Sequence, residues 1–472
     1  VYCLEFTLPN PLIEVFSRFA EEKHSALLLS GGGFPDIACH SFAAVRPFLV
    51  FLARGREITI TRSDGFSENL TDDPFEVMDR ILASHTVAPP REILVRGAPP
   101  PFLCGAIGYF GYGLRTIIEK LPSRAEDDLQ LSDIYLAFYD TVIHCDDLRG
   151  RARIFSTDFT QKDKASRAAA EREKARSLAA EIIAGPRLNE RIEEAQIIQV
   201  EPISNFTREE YVKAVERVKE YILAGDVYQV NLSQRFCAPT SRSPYGLFEI
   251  LTKANPEPFA AYINSPFGQI VSSSPERFLK VVGRYVETRP IKGTRARGKT
   301  QSEDERLRRE LIRSGKDAAE LSMIVDLERN DLGKVCEFGS VLVREHKRLE
   351  AHPTVFHLVS VIHGFLRRNV TMGQLLKGAF PGGSVTGAPK IRAMEIIDEL
   401  EPHARGVYTG CIGYLGFDAT ADLNIAIRTM VVKDSNAYFN VGGGIVADSD
   451  PQAEFQETLH KAKALLASLA AK

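Results

Sequence analysis

"PFAAYINSPFGQIVSSSPERFLKVVGRYVETRPIKG", residues 258–293, holds four short apolar runs separated by Pro-Phe-Gly, Ser-Pro-Glu and Gly-Arg. Runs of this length, rich in Val, Ile, Phe and Tyr and bounded by turn formers, read as β-strands. The segment ends on Lys292, just before Gly293 opens a turn. That lysine is either a surface charge beside Arg289, Arg295, Arg297 and Lys299 or a buried amine with chemistry to do.

Outward from this block the chain alternates strand and helix blocks. Upstream, Thr207 and Glu210 form a capping box, Tyr211, Val215, Val218 and Ile222 line one helix face, and Gly225 ends it. "VYQVNLSQRF" follows as a strand. Downstream, the pattern predicts helices at about 303–313, 316–329 and 353–367, the last starting at Pro353. "VYTGCIGYLGF", "LNIAIRTMVVKD" and "AYFNVGGG" read as strands, and a closing helix spans about 451–470. Residues 1–160 read as a β-rich half with few helices. Residues 161–204 hold a solvated helix, at about 161–183, and a linker; residues 205–472 form the second half. The expected fold class is α+β, antiparallel sheets flanked by helices.

A net charge of −3 leaves no basic excess for broad nucleic-acid binding. No apolar run approaches the ~18 residues of a membrane span. The start, "VYCLEFTLPNP", lacks a basic segment followed by an apolar one, so no signal peptide is expected. Seven scattered cysteines without a C-x-x-C pair fit a reducing cytoplasm better than a disulfide scaffold.

"GGGIVA" at 442–447 fits G-x-G-x-x-A, but the chain ends too soon for a dinucleotide fold. "PGGSVTGAPK" lacks the Lys-Ser/Thr of a phosphate loop. Both still offer backbone N–H groups to a carboxylate. Asp317 and Glu320, and Glu454 and Glu457, are spaced three apart on helices and share a face, with Lys461 one turn beyond Glu457. Two such faces across a cleft fit Mg2+, although solvated faces are the commoner meaning of that spacing. Glu276, at a strand end, suits a desolvated general acid, unless Arg277 pairs with it. His357, read on an apolar helix, is more often a core histidine than a catalyst. Arg428 interrupts an apolar strand and needs an anion, from substrate or from an internal carboxylate. From physics alone, these residues suggest a Mg2+-dependent enzyme acting on a small carboxylate.

"GDVYQVNLSQRF", "SSSPERF", "ETRPIKGTR", "MIVDLERNDLG", "PGGSVTGAPK", "GCIGYLGF", "IAIRT" and "GGGIVADSDPQAEFQETLHKA" run in order over about 225–465. Together they resemble the chorismate-utilising enzyme family. The resemblance implies an orthogonal antiparallel β-sandwich with helices outside and the active site in the second half. It implies that Glu320 and Glu457 hold Mg2+, with Asp317 and Glu454 in support. Thr294, Thr386, Tyr414, Arg428, Lys461 and the backbone at Gly442 and Gly443 would hold the substrate carboxylates. Glu276 would protonate the leaving hydroxyl, and His357 matches a family histidine. Gln229 stands where water-using members carry a lysine, which implies ammonia as nucleophile. "PIKGT" resembles the aminodeoxychorismate synthase branch, where other branches read P-I-A-G-T. A desolvated Lys292 would then attack C2 of chorismate, and ammonia would displace it from C4. The chain carries no G-x-C-x-G glutaminase motif, so a separate glutamine amidotransferase subunit is implied as the ammonia source. "SALLLSGGG" resembles a tryptophan pocket with Ser30 at the matching serine, and reads equally as a buried hairpin. The alternatives are anthranilate synthase component I, or a catalytically silent binding subunit.

Overall fold

The computed structural model describes residues 1–31, 37–89, 100–185, 202–353 and 355–470. Most of the linker expected before residue 204, and Gly32 and Gly33 of the "SALLLSGGG" stretch, lie outside the described residues.

The opening stretch folds into strands Phe259–Ser265, Gly268–Ser274, Arg277–Val282 and Tyr285–Arg289, with Ile291–Ala296 following. The first two form a hairpin in which Ser265 faces Gly268, and Gly268 has φ +145°, a conformation open to glycine. The third strand then leaves that sheet. Arg277–Val282 pairs with Thr420–Ile425 and with Tyr285–Arg289 in the second sheet. The chain crosses at Pro275–Glu276, and a strand that switches sheets makes a corner of an orthogonal sandwich.

Among the described residues each sheet has twelve strands, and all named strand pairs are antiparallel. Strands from both halves share both sheets. Ala26–Leu29 pairs with Phe259–Ser265 in the first, and Gly105–Phe110 with Cys411–Gly416 in the second. Between the sheets lies a core that includes Phe42, Ile107, Tyr109, Tyr135, Ile263, Ile412 and Val431. Helices Lys164–Ile183, Pro244–Ala254 and Pro451–Ala470 join the apolar cluster of the first sheet. Pro74–Ser84, Gly315–Gly333 and Met372–Ala379 join that of the second. Strands covered on both faces need no polar alternation, and in "IYLAFY" (Ile134–Tyr139) every residue is buried.

The expected caps form. Thr207 Oγ1 accepts from Glu210 N at 3.2 Å, and Glu210 Oε2 accepts from Thr207 N at 2.8 Å. Two elements differ from expectation. Residues 423–434 hold not one strand but parts of two, Thr420–Ile425 in the second sheet and Thr429–Lys433 in the first. Residues 355–365 are not a helix but the strand Val355–Phe365, paired with Tyr285–Arg289, Ile291–Ala296 and Leu342–Ala351. A run that is apolar on all sides has no helical period to distinguish it, and its β-branched Val355, Val359, Val361 and Ile362 favour the strand. Among the described residues no helix is long and apolar enough to cross a membrane. No disulfide joins the described cysteines.

Candidate active site

Lys292 sits on the strand Ile291–Ala296, beside the corner that carries Glu276. Its Nζ donates to the carbonyl of Ser384 at 2.8 Å, and Ser384 belongs to the turn Gly383–Val385. The Glu276 carboxylate accepts from the backbone N–H of Ile291 at 3.3 Å, one residue from the lysine. Part of Lys292 remains accessible, although its amine is enclosed by protein. Burial lowers the Lys292 pKa, against the pull of Glu276 and Glu320, and Lys461 lowers it further. Burial raises Glu276, against the nearby Ser384 hydroxyl and the charge of Lys292. The two shifts push opposite charges toward neutrality in one place, the pattern of an acid paired with a nucleophile. Arg277 does not partner Glu276. Its guanidinium is held by Asp422 at 2.9 Å and Glu287 at 3.1 Å.

The acidic pairs are brought together by the first two turns of two helices. Ser314 caps Gly315–Gly333, which presents Asp317 and Glu320, and Pro451–Ala470 presents Glu454, Glu457 and Lys461. Burial raises Glu320, against Lys292 and Lys316, while the charges of Asp317 and Glu454 add to the rise. Burial also raises Glu454, whose Oε1 accepts from Ser449 Oγ at 2.6 Å. Glu457 is lowered by Lys461, 2.7 Å away. Lys461 Nζ also donates to the Gly442 carbonyl at 2.9 Å. Gly443 lies under this group. A Cβ there would stand 3.2 Å from Glu454 Oε2, 3.5 Å from Glu457 Oε1 and 3.8 Å from Lys461 Nζ. Arg295, which reads as a solvated charge, instead pairs with Glu310 at 2.9 Å and with Asp317 at 3.1 Å.

Among the described residues no three His, Cys, Asp or Glu side chains cluster closely enough to cage a metal. The donors are oxygens, and Glu320 and Glu454 feel one another's charge. That set fits an ion such as Mg2+, which takes one or two carboxylates and completes its shell with water or substrate oxygens.

Opposite lies the strand Gln229–Pro239. Gln229 is paired with Ala388, and Asn231 N donates to the Thr386 carbonyl at 2.7 Å. Thr386 Oγ1 itself donates to the Gly382 carbonyl at 3.1 Å. Gln229 Oε1 and Asn231 Oδ1 are buried without a hydrogen-bond partner in the protein. Residues i and i+2 of a strand share a face, so both oxygens look the same way. His357 Nδ1 is 2.9 Å from Thr294 Oγ1, and burial holds His357 well below its ordinary value, so the ring is neutral. Its Nε2 also lacks a geometric partner. Unpaired buried polar atoms cost about 1–3 kcal/mol each, a cost that a polar ligand reaching them would offset.

Arg428 does not lie on a strand but just before Thr429–Lys433, where the chain passes between sheets after Thr420–Ile425, and it has an internal anion. Its Nη1 donates to Asn255 Oδ1 at 3.2 Å and, in a short bond, to Glu257 Oε1. Tyr414 is not brought to the lysine and carboxylates. It stacks on Phe102 at 4.5 Å and lines, with Ser30, Pro258 and Phe259, a cavity of about 430 Å³ between the sheets. Strand alternation explains this: Tyr414 lies on Cys411–Gly416, whose Ile412 and Tyr414 share the face turned to the inter-sheet core. Sequence reading passed over Tyr408. It is buried against Arg405, 5.6 Å from ring to guanidinium, and shares with Glu454 and Glu457 an electrostatic influence on Tyr211. Also missed were Asn231, the Ser384 carbonyl and Glu257. The only hint of Asn231 was its i+2 spacing from Gln229.

The sequence profile of the chorismate binding enzyme family matches residues 43–467. Anthranilate synthase component 1 of Acetivibrio thermocellus is 36% identical over 466 residues, 97% of this chain and 92% of that one. Aminodeoxychorismate synthase component 1 of Escherichia coli is 38% identical over 461 residues, 96% of this chain and 95% of that one. The crystal structure of anthranilate synthase component I from Streptococcus pneumoniae superposes with a TM-score of 0.80 at 31% identity, covering 91% of this chain and 92% of that one. The chain therefore belongs to the chorismate binding enzyme family, as a chorismate-utilising enzyme of the anthranilate and aminodeoxychorismate synthase component I type.

Proposed function

We propose that the chain aminates chorismate at C4 to give 4-amino-4-deoxychorismate, with Lys292 as covalent nucleophile and ammonia delivered by a glutamine amidotransferase subunit. The product would feed 4-aminobenzoate and folate synthesis. The observation that carries this reading is the Lys292 amine. It is enclosed, lowered by burial, and set beside a carboxyl raised by burial. A lysine with a depressed pKa has a usable fraction of neutral amine near neutral pH.

The step balances on these two groups. Neutral Lys292 Nζ attacks C2 of chorismate, the C1–C2 and C5–C6 double bonds move to C1–C6 and C4–C5, and the C4–O bond breaks. Protonated Glu276 gives its proton to the departing hydroxyl, which leaves as water. Ammonia then adds at C4, both double bonds return to C1–C2 and C5–C6, and the C2–N bond to Lys292 breaks. The amine leaves, excess protons pass to Glu276 and solvent, and the pyruvyl ether is retained. Gln229 is an amide that cannot serve as a base for water, which supports an amine nucleophile. Glu320 and Glu457 would hold Mg2+, supported by Asp317 and Glu454. The bound ion would supply positive charge for the ring carboxylate. Arg428, Lys461, Thr294, Thr386 and the backbone at Gly442 and Gly443 would orient the carboxylates. The cavity that Ser30 lines would take tryptophan.

A second reading, anthranilate synthase component I, is supported by relatives of that name at similar identity. Chorismate, an ammonium salt and Mg2+ separate the two. The expected product keeps the pyruvyl group and becomes 4-aminobenzoate only after a lyase is added. Direct release of fluorescent anthranilate would overturn the proposal. Mass spectrometry of the protein under chorismate should show an adduct on Lys292 that is absent from Lys292→Ala.

A further inference from the structure

Arg428 is held from behind. Among the described residues, its guanidinium makes its hydrogen bonds through Nη1 alone, to Asn255 Oδ1 and Glu257 Oε1. The Glu257 side chain is 1% exposed and that of Arg428 is 25% exposed, so the carboxylate lies beneath and the guanidinium reaches the open side. Glu257 is engaged on both oxygens. Its Oε2 is 2.8 Å from His352 Nδ1, and the His352 ring meets the His357 ring edge-on at 4.8 Å. Burial works against a charged His352, but the hydrogen bond to Glu257 and the Glu350 carboxylate 3.8 Å from Nε2 overcome it and raise the ring above its ordinary value. Glu350 in turn pairs with Arg289, three residues before Lys292.

The anchor is rigid. Asn255 N donates to the Leu251 carbonyl at 2.8 Å, and the Asn255 carbonyl accepts from Ser273 Oγ at 2.6 Å. A Cβ on Gly31 would fall 2.2 Å from the Glu257 carbonyl oxygen, so the backbones there are in close contact. Arg428 itself has φ +50°, a left-handed conformation that a non-glycine residue keeps only where its surroundings enforce it.

A guanidinium carries five N–H donors in a planar fork. A partner on Nη1 leaves the Nε and Nη2 edge, which matches a carboxylate bidentately. We infer that Glu257 is a positioning residue that fixes Arg428 by Nη1 and turns its Nε–Nη2 edge toward a carboxylate of the substrate. Glu257 does not cancel that charge, because it also faces His352. The inference rests on the proposed role of Arg428 in holding substrate.

Glu257→Gln keeps the shape and removes the charge. Chorismate affinity is measured by calorimetry without ammonia, and turnover by loss of chorismate absorbance, which is indifferent to which amine forms. The Kd and KM for chorismate should rise about 10-fold or more while kcat stays within about threefold. Unchanged or tighter binding, or a loss confined to kcat, would overturn the positioning role. Should thermal unfolding show that Glu257→Gln is not folded, Asn255→Ala removes the second anchor of the same nitrogen. It should weaken binding about threefold, and unchanged binding counts against the inference. A wild type that binds no chorismate overturns the functional reading itself. A wild type that binds, with a variant that binds equally well, overturns only the role of Glu257.

Discussion

Glu328→Gln tests a buried carboxyl that folding holds in its neutral form. Glu328 lies on the Gly315–Gly333 helix, 6% exposed, and its Oε2 accepts from Thr288 Oγ1 at 2.9 Å. Burial, with the nearby Glu276 charge, raises its pKa from 4.5 to about 8. Between those values the folded chain keeps a proton that the unfolded chain has released. Stability is therefore complete below the unfolded value and falls as pH rises through the folded one. Each pH unit of separation is worth about 1.4 kcal/mol, so the penalty levels off at about 4–5 kcal/mol above pH 8. A glutamine keeps the acceptor for Thr288 and does not ionise. A chain of this length has an unfolding entropy of about 1 kcal/mol/K, so a kcal/mol moves Tm by about 1 °C. The assay is thermal unfolding of both proteins by circular dichroism at pH 6 and pH 9. The variant should melt higher than wild type at both, with a margin about 3 °C wider at pH 9. Groups common to the two proteins cancel in that margin. A margin that does not grow with pH would refute the account of Glu328 as a neutral buried acid.

Other outcomes follow from the site. Glu276→Gln should cut kcat by about 10²–10⁴ with little change in KM, since the lost proton donor matters only in the transition state; a change confined to KM would reassign Glu276 to binding. Lys292, lowered by burial, reaches its neutral form at lower pH than a surface lysine. At pH 8 an amine-acylating reagent should label it ahead of exposed Lys299, and chorismate should protect it, as peptide mass spectrometry will show. Gly443→Ala should leave Tm nearly unchanged, because its Cβ meets only the flexible ends of Glu454, Glu457 and Lys461. Chorismate KM should nevertheless rise about 10-fold; an unchanged KM would place the substrate elsewhere. Glu320→Gln should raise the Mg2+ concentration for half-maximal activity at least 10-fold, read from a Mg2+ titration.

Much of the architecture was legible in local pattern. Turn formers between apolar runs marked the strands of 258–293, and Thr207 with Glu210 marked a helix start. The i, i+3 carboxylates pointed to two shared helix faces, and motif order pointed to the family and its sandwich. The run around His357 misled, because a segment buried on every side loses the period that separates helix from strand. Tyr414 misled in another way. Its neighbours in sequence match a site motif, but alternation turns the ring to the inter-sheet cavity.

The chain by itself determined most of its elements and the placing of its carboxylate pairs and Lys292 within local motifs, because caps, periods and motifs are local properties. Tertiary structure alone decided how these meet. It moved the chain between sheets at Pro275–Glu276, wove both halves into both sheets, and set Arg295 against Asp317. It also seated Glu257 behind Arg428, 171 residues away. Periodicity records which face of an element is buried. It does not record what lies against that face, and the charge and reactivity of Lys292, Glu276 and Arg428 are set by those neighbours.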